Sequence, residues 1–301
     1  MAAGLRLQSV DPLATACASM GNYLRPSVLD DALRARAAGP CTVLAGGTDF
    51  FPTRVGRTID EDVLDITALA DLRGVREAPE QWRIGALATW SELVAAPLPR
   101  WFEAVKLAAR EVGGVQIQNA GTVAGNLCNA SPAADGVPPL LALGAEVELA
   151  SVRGVRALPL REFVLGNRRT ACAPDELVTA VLVPKWSAHA RSTFLKLGAR
   201  RYLVISIAMV AVAAETDAHG AIARCAVAVG ACSAAAQRLP ALEAALAGRV
   251  LAPGIGAVVS PVHLAPLAPI TDVRASAAYR GDAAATLVAR ALEKLAYEQA
   301  R

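Results

Sequence analysis

The chain has 301 residues, with 30 basic against 27 acidic side chains and a formal charge of +3. That length buries a substantial core in two or three compact units, and so even a balance, without a dense Lys/Arg run, argues against a nucleic-acid surface. The 54% hydrophobic fraction is carried by alanine; the longest apolar run, Leu203 to Ala214, is shorter than the about 20 residues of a spanning helix and contains Ser206, so it reads as a core element and not as a membrane span. The six cysteines (Cys17, Cys41, Cys128, Cys172, Cys225 and Cys232) include no C-x-x-C pair. This argues against a zinc site or an iron–sulfur cluster within the chain and reads as buried free thiols in a reducing cytoplasm.

In chain order, Met1 to Ser19 lacks a basic stretch followed by an apolar core and is read as an N-terminal extension, not a signal peptide. Ser27-Val28-Leu29-Asp30 predicts a helix start, with Ser27 as N-cap and acids in the first turn. That helix, Asp30 to Ala38, stops at Gly39-Pro40. Thr42-Val43-Leu44 predicts a short strand feeding Ala45-Gly46-Gly47-Thr48-Asp49, and Asp62 to Ile66 a second strand, closing a first subdomain near residue 75. Gly74 to Arg76 and Gln81 to Gly85 predict a hairpin, Thr89-Trp90-Ser91-Glu92 has capping-box spacing, and Arg100 to Val112 has helical spacing. A loop over Asn119 to Asp135 leads into a helix from Val137 to Leu143 with prolines in its first turn. Strands follow at Ala145 to Ala150 and Leu177 to Val183, and the polar stretch Pro184 to Arg191 is the best domain boundary. Beyond it, strands at Ser192 to Leu197, Ile205 to Ala214 and Ala221 to Val229 precede helices at Leu239 to Ala247 and Ala283 to Glu298, an α+β layer.

Two stretches carry the chemistry. Gly121-Thr122-Val123-Ala124-Gly125-Asn126 sets two glycines four apart among small residues, so backbone N–H groups can face an anion closely. Ala45-Gly46-Gly47-Thr48-Asp49 offers a similar surface directly after a strand, and two such segments suit a diphosphate gripped from both sides. Asp135, the next charged residue after Gly125, could set a carboxylate near the same ligand's hydroxyls. Neither segment is a G-x-G-x-x-G fingerprint or a Walker loop, so a Rossmann fold is not supported. Arg168 and Arg169 read as a surface ion pair in preference to a contact with an anionic partner or cofactor. His189, His219 and His263 are isolated and take no catalytic role.

At these residues the chain resembles the FAD-binding medium subunit of molybdenum hydroxylases, the family of carbon monoxide and xanthine dehydrogenases. The matching pieces are Tyr23-Leu24-Arg25-Pro26, Ala45 to Asp49, Ile84-Gly85-Ala86, Gln116 to Asn119, Gly121 to Asp135, Pro174-Asp175-Glu176-Leu177 and the segment from Lys196. They stand in the family's order over about residues 20 to 290. The resemblance implies an α+β fold with a two-subdomain, PCMH-type FAD-binding domain over 20–185 (subdomains about 20–75 and 76–185). A C-terminal α/β sandwich domain over 186–301 follows, after an extension over 1–19. It implies that Leu44, Ala45, Gly46, Gly47, Thr48 and Asp49, with Gly121, Thr122, Val123, Ala124, Gly125 and Asn126, hold the FAD diphosphate, and that Asp135 contacts the cofactor. Leu177 matches a position packed on the isoalloxazine, although its default as an apolar strand residue is the core. Lys196, otherwise read as part of a solvated basic turn, matches a lysine beside the flavin, where a cation stabilises the reduced ring. Between Lys196 and Ser206 the sequence departs from the family's pattern, with Leu203-Val204 where polar or acidic residues are common.

The function so implied is electron transfer. A molybdopterin cofactor on a large subunit oxidises the substrate, two [2Fe-2S] clusters on a small subunit relay the electrons, and FAD on this chain hands them to a terminal acceptor. The assembly implied is a cytoplasmic heterohexamer, a dimer of heterotrimers. The rival reading is a self-contained FAD-dependent oxidoreductase without metal subunits; it needs a general base or paired carboxylates beside the ring, and none is evident.

Overall fold

Three larger sheets and one two-stranded hairpin make up the strands of the computed structural model, which describes residues 21–299; the extension expected over 1–19 lies outside the described residues. The first sheet is small and parallel. Strands β1 (Tyr23–Leu24) and β2 (Thr42–Leu44) flank β3 (Val63–Asp65), with helix α1 (Leu29–Ala38) between β1 and β2 in sequence. The cap expected from Ser27 is absent: Val28 occupies the N-cap position and no side chain caps the helix. The acids Asp30 and Asp31 alone favour that terminus.

The second sheet is antiparallel, in the order β4 (Val75–Glu77), β5 (Gln81–Gly85), β10 (Leu177–Pro184), β6 (Glu146–Ser151) and β7 (Gly154–Pro159). Between β5 and β6 come α2 (Trp90–Ala95), α3 (Glu103–Glu111), α4 (Val115–Ala120), α5 (Val123–Asn129) and α6 (Val137–Ala142). The capping box at α2 forms as expected: Glu92 N–H donates to Thr89 Oγ1 at 3.2 Å, and Thr89 N–H donates to Glu92 Oε2 at 2.7 Å. The stretch expected to be a loop from Asn119 to Asp135 is a correction, because much of it is helix. Thr122 Oγ1 accepts from Gly125 N–H at 2.9 Å as N-cap of α5, and Val123, Ala124 and Leu127 are buried at helical spacing. After β7, a short α7 (Leu160–Phe163) and a hairpin of β8 (Val164–Gly166) and β9 (Arg169–Thr170), none of them expected, lead into β10.

The third sheet, β11 (Arg191–Leu197), β12 (Ala208–Thr216), β13 (Ile222–Gly230) and β14 (Gln237–Arg238), is antiparallel and followed by α8 (Pro240–Leu246) and α9 (Ala277–Gln299). β12 takes up the longest apolar run only from Ala208 on; Leu203 and Ile205 at the run's start are exposed, against the expectation of a core element throughout. Its alternate residues Ala208, Val210, Val212 and Ala214 face a core shared with α8 and α9, whereas Met209, Ala211 and Ala213 join the core of the preceding residues. The second face is nearly all alanine, Ala226 and Ala228 of β13 included, so the sheet lies close against α3 and α6. α9 begins six residues before the expected start, because the Ser276 hydroxyl accepts from Tyr279 N–H at 3.2 Å. Among the described residues no helix is long and apolar enough to cross a membrane.

Candidate functional site

The two glycine segments meet. A Cβ on Gly46 would lie 1.9 Å from the carbonyl oxygen of Ala120, and one on Gly121 would lie 3.3 Å from Thr48 Oγ1. Glycine is required because backbone touches backbone, and Gly47 adds a φ of +71° that turns the loop after β2. Gly121 is held in turn to the start of α2, where its carbonyl accepts from Trp90 N–H at 3.3 Å while Val123 N–H donates to the Ala88 carbonyl at 3.0 Å.

In front of this seam opens a cavity of about 850 Å³, within the range of about 300–1,000 Å³ that suits a cofactor. Of the residues named from sequence, Ala45, Gly46, Gly47, Thr48, Asp49, Gly121, Thr122, Ala124, Gly125, Asn126 and Leu177 line it. Four do not. Leu44 is buried behind the loop with Phe50 and Val63, and Val123 is buried in the main core. Asp135 and Lys196 are drawn to each other: Lys196 Nζ is 2.6 Å from Asp135 Oδ2, both side chains less than a tenth exposed, and the Ser206 hydroxyl donates to Asp135 Oδ1 at 2.6 Å. Burial pushes the Asp135 carboxyl upward, opposed by the Lys196 charge and the hydrogen bonds from Lys196 and Ser206. This pair ties the end of the α5–α6 segment to β11; Lys196 also reaches the carbonyl of Glu111 at 3.4 Å, one residue before the cavity-lining Val112.

The residues present fit a dinucleotide. The N–H groups of Gly46, Gly47, Thr48 and Asp49 donate to no acceptor among the described residues, which leaves a run of donors on a wall where a side chain is excluded. Asn126 Oδ1 is buried with no hydrogen-bond partner although Asn126 lines the cavity, an orphaned acceptor that a ligand donor satisfies. Two carboxylates, Asp49 and Glu176, line the wall. Asp49 accepts from Arg168 through both oxygens, at 3.0 and 3.1 Å, so the ion pair read for Arg168 forms, between two residues that both line the cavity. Glu176 accepts likewise from Arg156, at 2.6 and 2.8 Å, and this guanidinium outweighs burial to hold the carboxyl below its usual value.

Arg36, Arg54, Phe50, Trp90, Thr170 and Cys172 also line the cavity and were not singled out from sequence. Only the fold brings them together; Arg54 stacking on the Phe50 ring at 3.9 Å has no signature beyond their spacing. The thiols divide. Cys232 is buried as expected, but Cys128 is exposed and lines the cavity. Cys172 is half-buried, and burial first, then the Glu176 carboxylate, push it up to about 11, so it stays a neutral thiol.

Residues 18–186 match the family described as the FAD binding domain in molybdopterin dehydrogenase. The chain belongs to this family. Residues 193–295 match the CO dehydrogenase flavoprotein C-terminal domain, so two families account for nearly the whole FAD-binding chain in their expected order. The chain is similar to the nicotinate dehydrogenase FAD-subunit of Eubacterium barkeri, 36% identical over 206 residues that cover 66% of this chain and 70% of the relative. It is also similar to the nicotine 6-hydroxylase medium subunit of Paenarthrobacter nicotinovorans, 29% identical over 90% of this chain and 95% of the relative. Among solved structures, carbon monoxide dehydrogenase from Hydrogenophaga pseudoflava superposes with a TM-score of 0.82 at 26% identity, covering 93% of this chain and 98% of its counterpart. The α+β architecture expected from the resemblance is therefore that of carbon monoxide dehydrogenase's chain, and the flavoprotein assignment stands on both sequence and fold.

Proposed function

We propose that this chain is the FAD-binding electron-transfer subunit of a molybdopterin-containing hydroxylase or dehydrogenase. The observation that carries the reading is the pairing of the two family matches with a cavity walled by touching glycine segments. FAD, when bound, supplies reversible electron chemistry at its isoalloxazine ring. The chain's own residues bind and orient it. The N–H groups of Gly46–Asp49 and the Gly121–Asn126 segment hold the diphosphate, Asn126 Oδ1 accepts from the ligand, and Leu177 packs against it. Leu44 and Val123 act from behind that wall. Asp135 and Lys196 support it through the Glu111–Val112 turn and set the electrostatics of the cavity's end.

The names of the relatives, a medium subunit, a medium chain and a dehydrogenase with a Mo-pyranopterin cofactor, support partner chains beside this one; in this reading a small subunit with [2Fe-2S] clusters is the electron donor and a large molybdopterin subunit oxidises the substrate. In this reading the FAD-binding domain spans 20–185 and the C-terminal domain 186–301. The complex is a cytoplasmic dimer of heterotrimers. The deciding measurement is an absorption spectrum of the purified chain, alone and co-expressed with its neighbouring genes. Flavin bands from the lone chain, joined by iron–sulfur bands in a larger complex, are the expected result. Turnover by the flavin-loaded chain without any partner would replace this reading with a self-contained oxidoreductase.

A further inference from the structure

We infer that Arg168 is a positioning residue for cofactor binding, which acts by neutralising Asp49 so that the Gly46–Asp49 cradle accepts a dinucleotide's diphosphate. The inference rests on the FAD reading above and adds to it a specific electrostatic requirement.

The reasoning starts from charge. The cradle wall offers four unpartnered N–H groups to an anion, yet the last of its four residues is an aspartate. A diphosphate brought beside a bare carboxylate meets like-charge repulsion, strongest where the wall excludes water. The guanidinium of Arg168 takes both oxygens of that carboxylate, and the planar fork matches a carboxylate better than any other side chain does. The other lining cations are engaged elsewhere: Arg54 pairs with Glu61 and stacks on Phe50, and Arg36 donates to the carbonyls of Cys41 and Glu176.

The pair is built, although it is a poor device for holding the fold together. Arg168 comes 119 residues after Asp49, from the turn between β8 and β9, so the bridge joins two stretches of the cavity lining that are remote in sequence. Arg168 is held in a left-handed conformation (φ 53°), which a residue with a Cβ adopts at some cost. Its N–H is anchored to the carbonyl of Ala130, itself left-handed at the end of α5. Both charged side chains are about half exposed, where an ion pair contributes little to stability. A costly backbone serving a weak exposed pair points to a role at the cavity.

The test is a double-substitution cycle read as FAD dissociation constants, by flavin fluorescence, on chains stripped of flavin and reloaded. Arg168→Gln is expected to weaken FAD binding about tenfold, the order of one uncompensated like-charge contact at a half-exposed site. Asp49→Asn is expected to bind at least as tightly as the unaltered chain. The double variant is expected to return to the affinity of Asp49→Asn, and the deficit of Arg168→Gln to shrink with added sodium chloride. A double variant as weak as Arg168→Gln would overturn the inference, because Arg168 would then hold the diphosphate itself. Weakened binding by Asp49→Asn would overturn it too, because the carboxylate would be a ligand in its own right; that variant decides even where Arg168→Gln does not fold. An unaltered chain that binds no FAD sinks the functional reading, and this inference with it.

Discussion

At the scale of single residues, the site is defined less by what its side chains offer than by where side chains are refused. Gly46 is the sharpest case, with a would-be Cβ at 1.9 Å from a backbone oxygen that no rotamer change moves away. Gly46→Ala is expected to pry the loop after β2 from the end of α4, with loss of bound flavin and a lowered melting temperature. Gly39→Ala, where nothing lies within 4 Å and φ is extended at 174°, is expected to leave both unchanged. Flavin-to-protein ratios and thermal melts of the two variants check the contrast. The glycines themselves were legible in the sequence, because close approach and unusual dihedrals have few other solutions. The contacts that make them necessary were not. The same limit applied to Asp135 and Lys196: 61 residues apart, they are brought to 2.6 Å only by the stacking of β11 on the preceding helices.

At the scale of elements, local rules carried as far as local chemistry did. The capping box of α2 was readable because its two hydrogen bonds lie within four residues. Helix α5 was not, since two nearby glycines outweighed a threonine cap that only the fold shows to be engaged. β1 is a different case: two residues make a strand because side chains beyond the ladder hold it. The Tyr23 hydroxyl donates to Asp65 on β3, Arg25 lies 3.2 Å from the same carboxylate, and Thr67 N–H donates to it at 2.8 Å. Burial alone would raise the Asp65 carboxyl, but the hydrogen bonds from Thr67 and Tyr23 and the Arg25 charge outweigh it and hold the carboxyl below its usual value. A depressed folded value contributes stability above the unfolded value of about 3.9, and that stability is lost as pH falls from there toward the folded value. Acid titration followed by hydrogen exchange is expected to release β1 in this window, and Asp65→Asn to abolish the pH dependence there while leaving the strand loose at neutral pH.

At the scale of the whole molecule, the third sheet is not a separate bead. The apolar stretch Ala208 to Ala214 was recognisable as core, but not that its two faces serve two cores: valine against α8 and α9, alanine against α3 and α6. A chain ending at residue 185 therefore leaves uncovered the helix surface that Met209, Ala211, Ala213, Ala226 and Ala228 bury in the full protein. It also strips Asp135 of both its partners, Lys196 and Ser206. The fragment 20–185 is expected to aggregate or bind a hydrophobic dye, with flavin retained poorly if at all. Size-exclusion profiles of the fragment against the full chain test this directly.

The cavity has a further consequence, in the order of synthesis. Most of its lining comes from residues 36–54, 112–129 and 168–178, with Ile66, Ala86 and Trp90 between them, and the three main stretches leave the ribosome well apart in time. The glycine segments can meet once residue 121 has emerged, but the part of the lining with Arg168, Glu176 and Leu177 does not yet exist. Capture of the cofactor is thus a late event in the life of each new chain. Growing chains of intermediate length carry an open seam that only the remaining synthesis closes.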